Sequence, residues 1–300
     1  MATLVRRAKA ADPAQHARHS AKRAEVGAKL NRLLVLAVLF LGAIAFIVPY
    51  YVTVAMSLKT QTELATTSMW AWPQNPTFEN FHRVLTNPNV VFSLLLRNTV
   101  FVTACNVVGT LLSCSAAAYA FARLEFAGRD RLFLVLLATM MLPGLVTMIP
   151  GYVLFAKLGW INSFNPLIVP AFFGSAFNIF LLRQFFMAIP RELDEAAVLD
   201  GAGHWTIFGR VIIPLSGPAL ATVGIFTFMG TWRDLQGPLL YLNDPQKQTL
   251  ELGLRTYSAL NGEKWHLLMA GSVLISIPLI IAFFVGQRYF VKGLVMTGGK

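Results

Sequence analysis

Residues 191–220 read RELDEAAVLDGAGHWTIFGRVIIPLSGPAL, a short charged and alanine-rich insert between two long apolar segments. Pro190 precedes the insert, and proline suits the first turn of a helix because the amide hydrogen it lacks would be unpaired there. Acidic residues follow at once and place negative charge at the positive end of the helix. Asp200-Gly201 predicts the end of this helix, since glycine readily takes the left-handed conformation found there. A second short helix is predicted from His204, and Pro214 and Pro218 predict a break at the entry to the next apolar segment. The insert therefore indicates two short helices that protrude at one face of a membrane.

The rest of the chain is dominated by long apolar segments. Of its 300 residues, 56% are hydrophobic and 13% are charged, whereas a soluble domain usually has about 25% charged residues. Six segments contain no Lys, Arg, Asp or Glu, and each has the length of about 20 residues that a transmembrane helix needs. They are residues 33–58, 98–122, 132–156, 158–182, 211–232 and 265–287. We therefore predict an all-α membrane protein with six transmembrane helices, because helices satisfy their own backbone amides in lipid.

Basic residues are concentrated on one side of the predicted membrane. Of the 25 Lys and Arg, 17 lie in segments that share a side with the N-terminus and eight lie on the other side. The positive-inside rule then places both termini in the cytoplasm. Residues 1–32 form a basic cytoplasmic segment, predicted to be disordered or to lie on anionic lipid headgroups. This distribution argues against nucleic acid as a partner and for membrane lipid.

No catalytic, metal-binding or nucleotide-binding pattern is found in the sequence. The tail from Gly293 to Lys300 superficially resembles a phosphate-binding loop, but Gly299 stands where that motif has its lysine. The five histidines are scattered, so no set of metal ligands is expected, and no serine or cysteine lies in a nucleophile motif. We predict that the chain is not an enzyme, binds no cofactor or metal, and receives its energy from a partner.

The insert resembles the EAA loop of ATP-binding-cassette importer permeases. The resemblance is carried by Glu195-Ala196-Ala197, Asp200-Gly201-Ala202, Phe208, Pro214, Leu215 and Pro218. It implies that residues 188–210 form a cytoplasmic coupling loop that seats in a groove of an ATPase subunit. The implied coupling residues are Glu195, Ala196, Ala197, Asp200, Gly201 and Ala202. Glu195 alternatively does no more than offset the helix dipole.

Further stretches are similar to the carbohydrate branch of these importers, and most to the six-span subunit of the maltose and multiple-sugar type. They are Asn98-Thr99, Arg183–Phe186 with Ile189-Pro190, Gly237-Pro238-Leu239, and Gln287–Val291 with Gly293. The resemblance implies a type I importer permease domain over residues 33–300 in a prokaryotic inner membrane. It also implies three kinds of protein partner: a second homologous permease, two ATPase subunits that use ATP and Mg, and an extracytoplasmic solute-binding protein. Arg233 departs from the family pattern, which has Asn before the acidic residue.

Polar residues within or beside the spans are the candidates for a solute pathway, because such residues usually face the protein interior. They are Asn106, Thr147, Asn178, Thr231, Arg233 and Asp234. Each of the first four alternatively holds helices together, and the pair Arg233-Asp234 alternatively anchors a helix end. Within the outer loop 233–264, residues 243–264 are predicted to contact the binding protein, or else to form a plain solvated loop.

Three functions remain open from the sequence. The first is the permease subunit of an ATP-driven sugar importer. The second is an importer subunit for glycerol phosphate or another polar solute. The third, of a different class, is a passive channel or a structural membrane protein.

Overall fold

The computed structural model describes the backbone of residues 13–88, 90–261 and 264–298, and side chains within residues 29–287. These residues contain helices and connecting turns but no β-strand, as the sequence predicts. The helices are α1 (Pro13–Ser57), α2 (Gln61–Thr66), α3 (Glu79–Leu85), α4 (Phe92–Arg123), α5 (Arg129–Thr139), α6 (Gly144–Lys157), α7 (Asn165–Ile168), α8 (Ala176–Ala188), α9 (Glu192–Leu199), α10 (His204–Ile207), α11 (Ile213–Leu215), α12 (Gly217–Trp232), α13 (Gln236–Tyr241), α14 (Leu250–Asn261) and α15 (Trp265–Gly298).

Four helical stretches of the described chain are long and apolar enough to cross a membrane without a sharp bend. They are Asn31–Ser57, Phe92–Arg123, Asn165–Ala188 and Trp265–Gln287. Two bent pairs, α5 with α6 and α10–α11 with α12, raise the count to six if each pair is one span. Each of the six apolar segments is therefore largely helical, and a total of six spans remains a prediction.

The bend between α5 and α6 is 97° and lies at residues 140–143. Pro143 precedes α6 in extended conformation, and a residue before proline avoids helical geometry, so α5 has to end before it. Pro150 lies inside α6 without ending it. Only the first of the two prolines breaks the helix.

The second bend, of 79°, separates α10–α11 from α12. A wider, π-helical turn over Phe208–Ile212 joins α10 to α11. The buried Ser216 side chain donates to the carbonyl of Ile212 at 2.7 Å. Pro218 lies in the first turn of α12 and has no amide hydrogen to continue the preceding helix. The predicted break before the fifth apolar segment is confirmed.

The core lies where α4, α8 and α12 pack together. Its buried side chains are Cys114, Ala118, Tyr119, Ala122, Ile179, Leu182, Phe186, Ile189, Ile207, Ile212, Ala219 and Val223. Gly109 allows a close approach on α4, since a methyl group there would lie 2.8 Å from the ring of Phe172. The insert contributes Ile207 and Ile212, so its base belongs to the core of the bundle.

In two regions the structure excludes one of the two alternatives that the sequence left open. The backbone of residues 13–32 is helical and continuous with the first span, so this part of the basic segment is not disordered; residues 1–12 lie outside the described residues. Residues 243–264 are not a plain solvated loop, because α14 packs on α4 and α15 and buries Leu250, Leu252 and Tyr257. Burial of these apolar side chains outweighs the polar composition of the segment.

Candidate functional site

The EAA segment consists of α9, a turn and α10, as predicted. The turn has Gly201 in left-handed conformation, with φ of 82°. The amide of Gly201 donates to Val198 and that of Ala202 donates to Ala197, both at 2.9 Å. This pair of bonds satisfies the last carbonyls of α9. No atom lies within 4 Å of a methyl group added at Gly201, so backbone conformation, and not space, favours glycine there.

An ion pair connects the EAA segment to the end of α4. The Nε of Arg123, the last residue of α4, lies 3.3 Å from Oδ2 of Asp194 on α9. The Arg123 side chain is 3% exposed and that of Asp194 is 19% exposed. Arg123 also donates through Nη2 to the carbonyl of Ile189 at 2.8 Å. Burial of the Arg123 side chain limits the access of water to this pair and strengthens its electrostatic attraction, so α9 and α4 are held together.

The coupling residues predicted from the resemblance divide into two groups. Glu195, Ala196, Asp200 and Gly201 are exposed. Ala197 and Ala202 are half-buried and pack against the core cluster. One face of the segment is therefore seated on the bundle, and the other is available to a partner.

Large apolar side chains accompany the exposed coupling residues. Leu199 is 89% exposed and Trp205 is 82% exposed. The Trp205 ring meets Phe208 edge to face at 6.3 Å between centroids, and Phe208 in turn packs on Tyr119 of α4. Tryptophan is enriched among the residues that contribute most to protein–protein binding, so the exposed Trp205 favours this face as a docking surface.

At the opposite end of α4, amide and hydroxyl groups hold the segment that follows α13. Asn98 donates through Nδ2 to the carbonyls of Gln246 at 2.8 Å and Gln248 at 3.0 Å. The amide of Leu250 donates to the Thr99 hydroxyl at 2.8 Å. We call these three bonds the Asn98 clamp. The clamp fixes the start of α14 directly over the end of a membrane helix.

A second contact holds the same segment to the turn between α6 and α7. Asn162 has positive φ, of 61°, which asparagine tolerates better than most residues. Its Oδ1 accepts from the amides of Asn243 at 3.2 Å and Asp244 at 3.0 Å. Lys247 donates through Nζ to the carbonyl of Asn162 at 2.8 Å. These contacts anchor the segment at both of its ends.

A cavity of about 190 Å³ lies beneath this segment. Its lining includes Asn106, Thr231 and Asp234, three of the six pathway residues predicted from the sequence. The remaining lining residues are Thr99, Val102, Pro166, Leu167, Gly237, Pro238, Tyr241 and Thr249. The structure thus brings α4, α7, α12 and α13 together around polar groups that are far apart in the sequence.

The other three pathway candidates do not line this cavity. Thr147 is exposed on α6 and donates to the carbonyl of Gly144. Asn178 is half-buried on α8. Arg233 lines a larger, mostly apolar cavity of about 510 Å³ between α12, α14 and α15.

Arg233 and Asp234 do not form the charged pair expected from their adjacency. Asp234 Oδ1 accepts from the amide of Gly237 at 3.0 Å, whereas Arg233 lines the larger cavity together with Glu251. Consecutive residues at a helix end point in different directions, which separates the two side chains. Burial raises the pKa of Glu251, and the positive charge of Arg233 partly opposes that increase. Burial also raises the pKa of Tyr241, and the charge of Asp234 adds to this increase.

Several residues of these sites were not identified from the sequence. The Arg123–Asp194 pair and the groups Thr99, Tyr241 and Thr249 are brought together only by packing. One signal was available for the pair, because Arg123 ends an apolar segment on the same side of the membrane as Asp194. Among the described residues, no group of three or more His, Cys, Asp or Glu is placed to hold a metal ion.

The arrangement of an exposed docking segment and a cavity with polar lining residues agrees with the matches to known proteins. Residues 109–295 match the family model described as "binding-protein-dependent transport system inner membrane component". The chain belongs to this family. Its members are subunits of ATP-binding-cassette importers, so this permease is a transport subunit and not an enzyme, and ATP hydrolysis takes place in separate subunits.

Similar proteins extend this permease match over most of the chain. The arabinooligosaccharides transport system permease protein AraQ of Halalkalibacterium halodurans is 32% identical over 273 residues, covering 90% of this chain and 97% of AraQ. The trehalose/maltose transport system permease protein MalG of Thermococcus litoralis is 30% identical over 267 residues, covering 88% of this chain and 95% of MalG. A subunit of a bacterial ABC transporter that imports the acidic polysaccharide alginate superposes with a TM-score of 0.79 at 26% sequence identity. The superposition covers 87% of this chain and 97% of that subunit. The fold is that of ABC importer permeases.

Proposed function

We propose that this permease carries a sugar or short oligosaccharide across the membrane and is driven through its EAA segment. The observation that carries the proposal is the exposed α9–α10 segment, which is seated on the bundle by the Arg123–Asp194 pair. The named functions of the relatives favour sugars as the solute class.

Coupling in this proposal depends on the exposed face of the EAA segment. Glu195 accepts a charged hydrogen bond from a basic residue of an ATPase subunit, a bond about twice as strong as a neutral one. Leu199 and Trp205 supply apolar contact beside it. The offset of the helix dipole by Glu195, worth about 0.3–1 kcal/mol, is compatible with this role.

The proposed assembly contains a second permease, two ATPase subunits that bind ATP and Mg, and a solute-binding protein. The lack of any buried residue on α6 supports the second permease, because another helical subunit would cover that apolar helix. The segment 243–264 is proposed to meet the binding protein. ATP binding then changes the relative population of two arrangements of the helices, one open to each side.

The proposed orientation places residues 1–32, the EAA loop 188–210 and the C-terminus in the cytoplasm, with one permease domain over residues 33–300. Reporter fusions test this topology. A fusion after Lys247 is expected to report the outer side and a fusion after Gly203 the cytoplasm. The reverse pattern at either site would refute the orientation.

Uptake by the complete transporter in proteoliposomes tests the solute class. The binding protein and ATPase are included, and the solutes are maltose, raffinose, arabinotriose and glycerol phosphate. ATP-dependent uptake of a neutral sugar is the expected result. Uptake of glycerol phosphate alone would support the second function, and uptake that needs no ATP would support a passive channel.

A further inference from the structure

The cavity beneath the Asn98 clamp contains polar groups whose hydrogen-bonding capacity is unused. Thr249 is 5% exposed, lines the cavity, and its buried Oγ1 has no hydrogen-bond partner. Thr231 and Tyr241 are half-buried and line the same cavity, and their hydroxyl groups make no hydrogen bond among the described residues. An unpaired buried hydroxyl costs about 1–3 kcal/mol. The Thr249 hydroxyl, unlike the equally unpaired hydroxyls of Thr103 and Thr227, lies at a cavity that a hydrogen-bonding partner can enter.

Two further groups in the cavity are acceptors. Asn106 uses its Nδ2 to donate to the carbonyls of Val102 and Leu167, both at 2.9 Å, which leaves its Oδ1 as an acceptor. Asp234 uses Oδ1 to accept from Gly237, which leaves Oδ2. The cavity lining therefore contains hydroxyl groups, which both donate and accept hydrogen bonds, and two further acceptors. A polyhydroxylated molecule matches this mixture, because each of its own hydroxyl groups both donates and accepts.

Charge and size restrict the ligand further. Asp234 provides a negative charge, while the neighbouring cation, Arg233, faces the other cavity. An anionic solute is therefore disfavoured. The volume of about 190 Å³ lies below the roughly 300–1,000 Å³ of pockets that hold drug-sized ligands, which suits a single sugar ring better than an oligosaccharide.

We propose that this cavity is a subsite for one neutral sugar ring of the transported solute, held by Thr231, Asp234, Thr249 and the Asn106 carbonyl oxygen. The inference rests on the proposed function and adds a location and a preference for neutral over acidic sugars. The cavity lies directly under the segment predicted to meet the binding protein, so the ring would enter it as the solute leaves that protein.

Protection of an introduced thiol tests the subsite directly. Thr231→Cys is introduced into the complete transporter, in which Cys105→Ala and Cys114→Ala remove the native cysteines of this permease. The rate of its alkylation by N-ethylmaleimide is measured without solute and with maltose, raffinose or digalacturonate. Thr227→Cys is the matched control, since Thr227 lies one turn earlier on α12, has a buried hydroxyl without a partner, and does not line the cavity. We expect a neutral sugar to slow alkylation of Thr231→Cys at least threefold, and digalacturonate to have no effect. The proposal would be overturned if no neutral sugar changed the alkylation rate of Thr231→Cys. It would also be overturned if a neutral sugar slowed alkylation of Thr231→Cys and Thr227→Cys equally.

A second measurement keeps both native cysteines. Thr249→Val is expected to lower the sugar taken up per ATP hydrolysed by about 2- to 10-fold, the effect of one lost hydrogen bond. Thr103→Val is its control, because the Thr103 hydroxyl is also buried and unpaired but lies outside the cavity. Equal uptake ratios in the two variants would contradict the subsite.

The two experiments separate this proposal from the proposed function. If the unmodified transporter takes up no sugar while maltose still protects Thr231→Cys, the proposed function fails and the subsite stands. If sugar uptake is present and neither protection nor the Thr249→Val effect is seen, the subsite fails and the proposed function stands.

Discussion

The two ends of α4 are held by different chemistry. At the EAA end, a buried ion pair joins Arg123 to Asp194, and apolar side chains project beyond it. At the opposite end, neutral amides and hydroxyls hold the segment that starts α14. Each neutral bond contributes only about 0.5–1.5 kcal/mol, since water can replace it. Separating a buried ion pair is far more costly.

This difference suggests a division of roles along the molecule. The EAA end is suited to staying in one arrangement while a partner pushes on it. The Asn98 clamp is suited to opening and closing, because its groups exchange protein partners for water at little cost. The following substitutions remove contacts at one end of α4 or the other. They test whether each end affects a different step of transport.

The largest expected effect comes from breaking the ion pair. Asp194→Asn leaves the Arg123 cation, which is 3% exposed, without its counter-charge. We expect a loss of about 2–3 kcal/mol of stability, somewhat below the usual 3–5 kcal/mol because Asp194 is partly hydrated. Uptake per ATP hydrolysed should fall sharply. Thermal unfolding and transport of the purified complex measure the two effects.

A control and a rescue sharpen this test. Glu192→Gln removes an exposed carboxylate from the same helix and should change neither quantity. The double variant Arg123→Met with Asp194→Leu replaces both charges by apolar groups and should recover much of the stability. A double variant as unstable as Asp194→Asn would argue against the pair as the cause.

The turn of the EAA segment is expected to give the next largest effect. Gly201→Asp forces a side chain onto a backbone with φ of 82°, at a cost of about 1–2 kcal/mol, and adds charge to the docking face. We expect at least tenfold less uptake at normal membrane abundance. Gly203→Asp adds the same charge nearby, where φ is −79°, and tests charge alone. If Gly201→Asp transports normally, the segment has no coupling role.

A moderate effect is expected at the opposite end. Asn98→Ala removes two bonds of the clamp and should loosen the start of α14 by about 1–2 kcal/mol. The concentration of loaded binding protein that gives half-maximal ATP hydrolysis should then rise about fivefold to thirtyfold. Asn178→Ala, which removes a half-buried asparagine of α8 outside the clamp, serves as control. An unchanged concentration for Asn98→Ala would separate the clamp from binding-protein docking.

The smallest effect concerns pH and Glu251. Burial raises the pKa of Glu251 above its ordinary value, so the folded protein is less stable once pH rises through that raised pKa and the group ionises. Glu251→Gln should therefore melt about 2 °C higher than the parent at pH 8, the scale of a change below 1 kcal/mol. The two proteins should melt alike at pH 4, where Glu251 is protonated.

Arg233 provides a check on that sign. Its positive charge lowers the pKa of Glu251. The stability of the Arg233→Asn variant should therefore fall more with rising pH than that of the parent, and adding Glu251→Gln should cancel this difference. A melting temperature of Arg233→Asn that does not fall with rising pH would contradict the electrostatic contact between the two side chains.

Local sequence signals predicted the parts of the structure that local chemistry determines. Apolar runs located the membrane helices, and Pro190 with Gly201 bounded α9. Pro214 and Pro218 marked the break before α12. In each case the deciding interaction lies within a few residues along the chain.

Long-range packing decided the rest. Asn98 and Gln246 are separated by 148 positions, and no local pattern pairs them. Arg233 and Asp234 are neighbours in sequence but face different cavities. The polar composition of residues 243–264 suggested a loop, whereas α14 buries one face against two other helices. The cavity itself exists only because four helices converge around it.

α4 differs from the other unbent long helices in one respect: α1 and α15 contain Pro49 and Pro278, and α4 contains no proline. Asn98 and Arg123 are separated by about 37 Å along its axis at about 1.5 Å per residue. A tilt of about 10° around the midpoint of such a straight rod displaces each end by about 3 Å in opposite directions. The Asn98 bonds of 2.8 Å and 3.0 Å would not survive that displacement. Rotation of α4 about its midpoint would therefore let a displacement at Arg123 break the Asn98 bonds at the opposite end of the helix. No signal would have to pass through the side chains between these two residues.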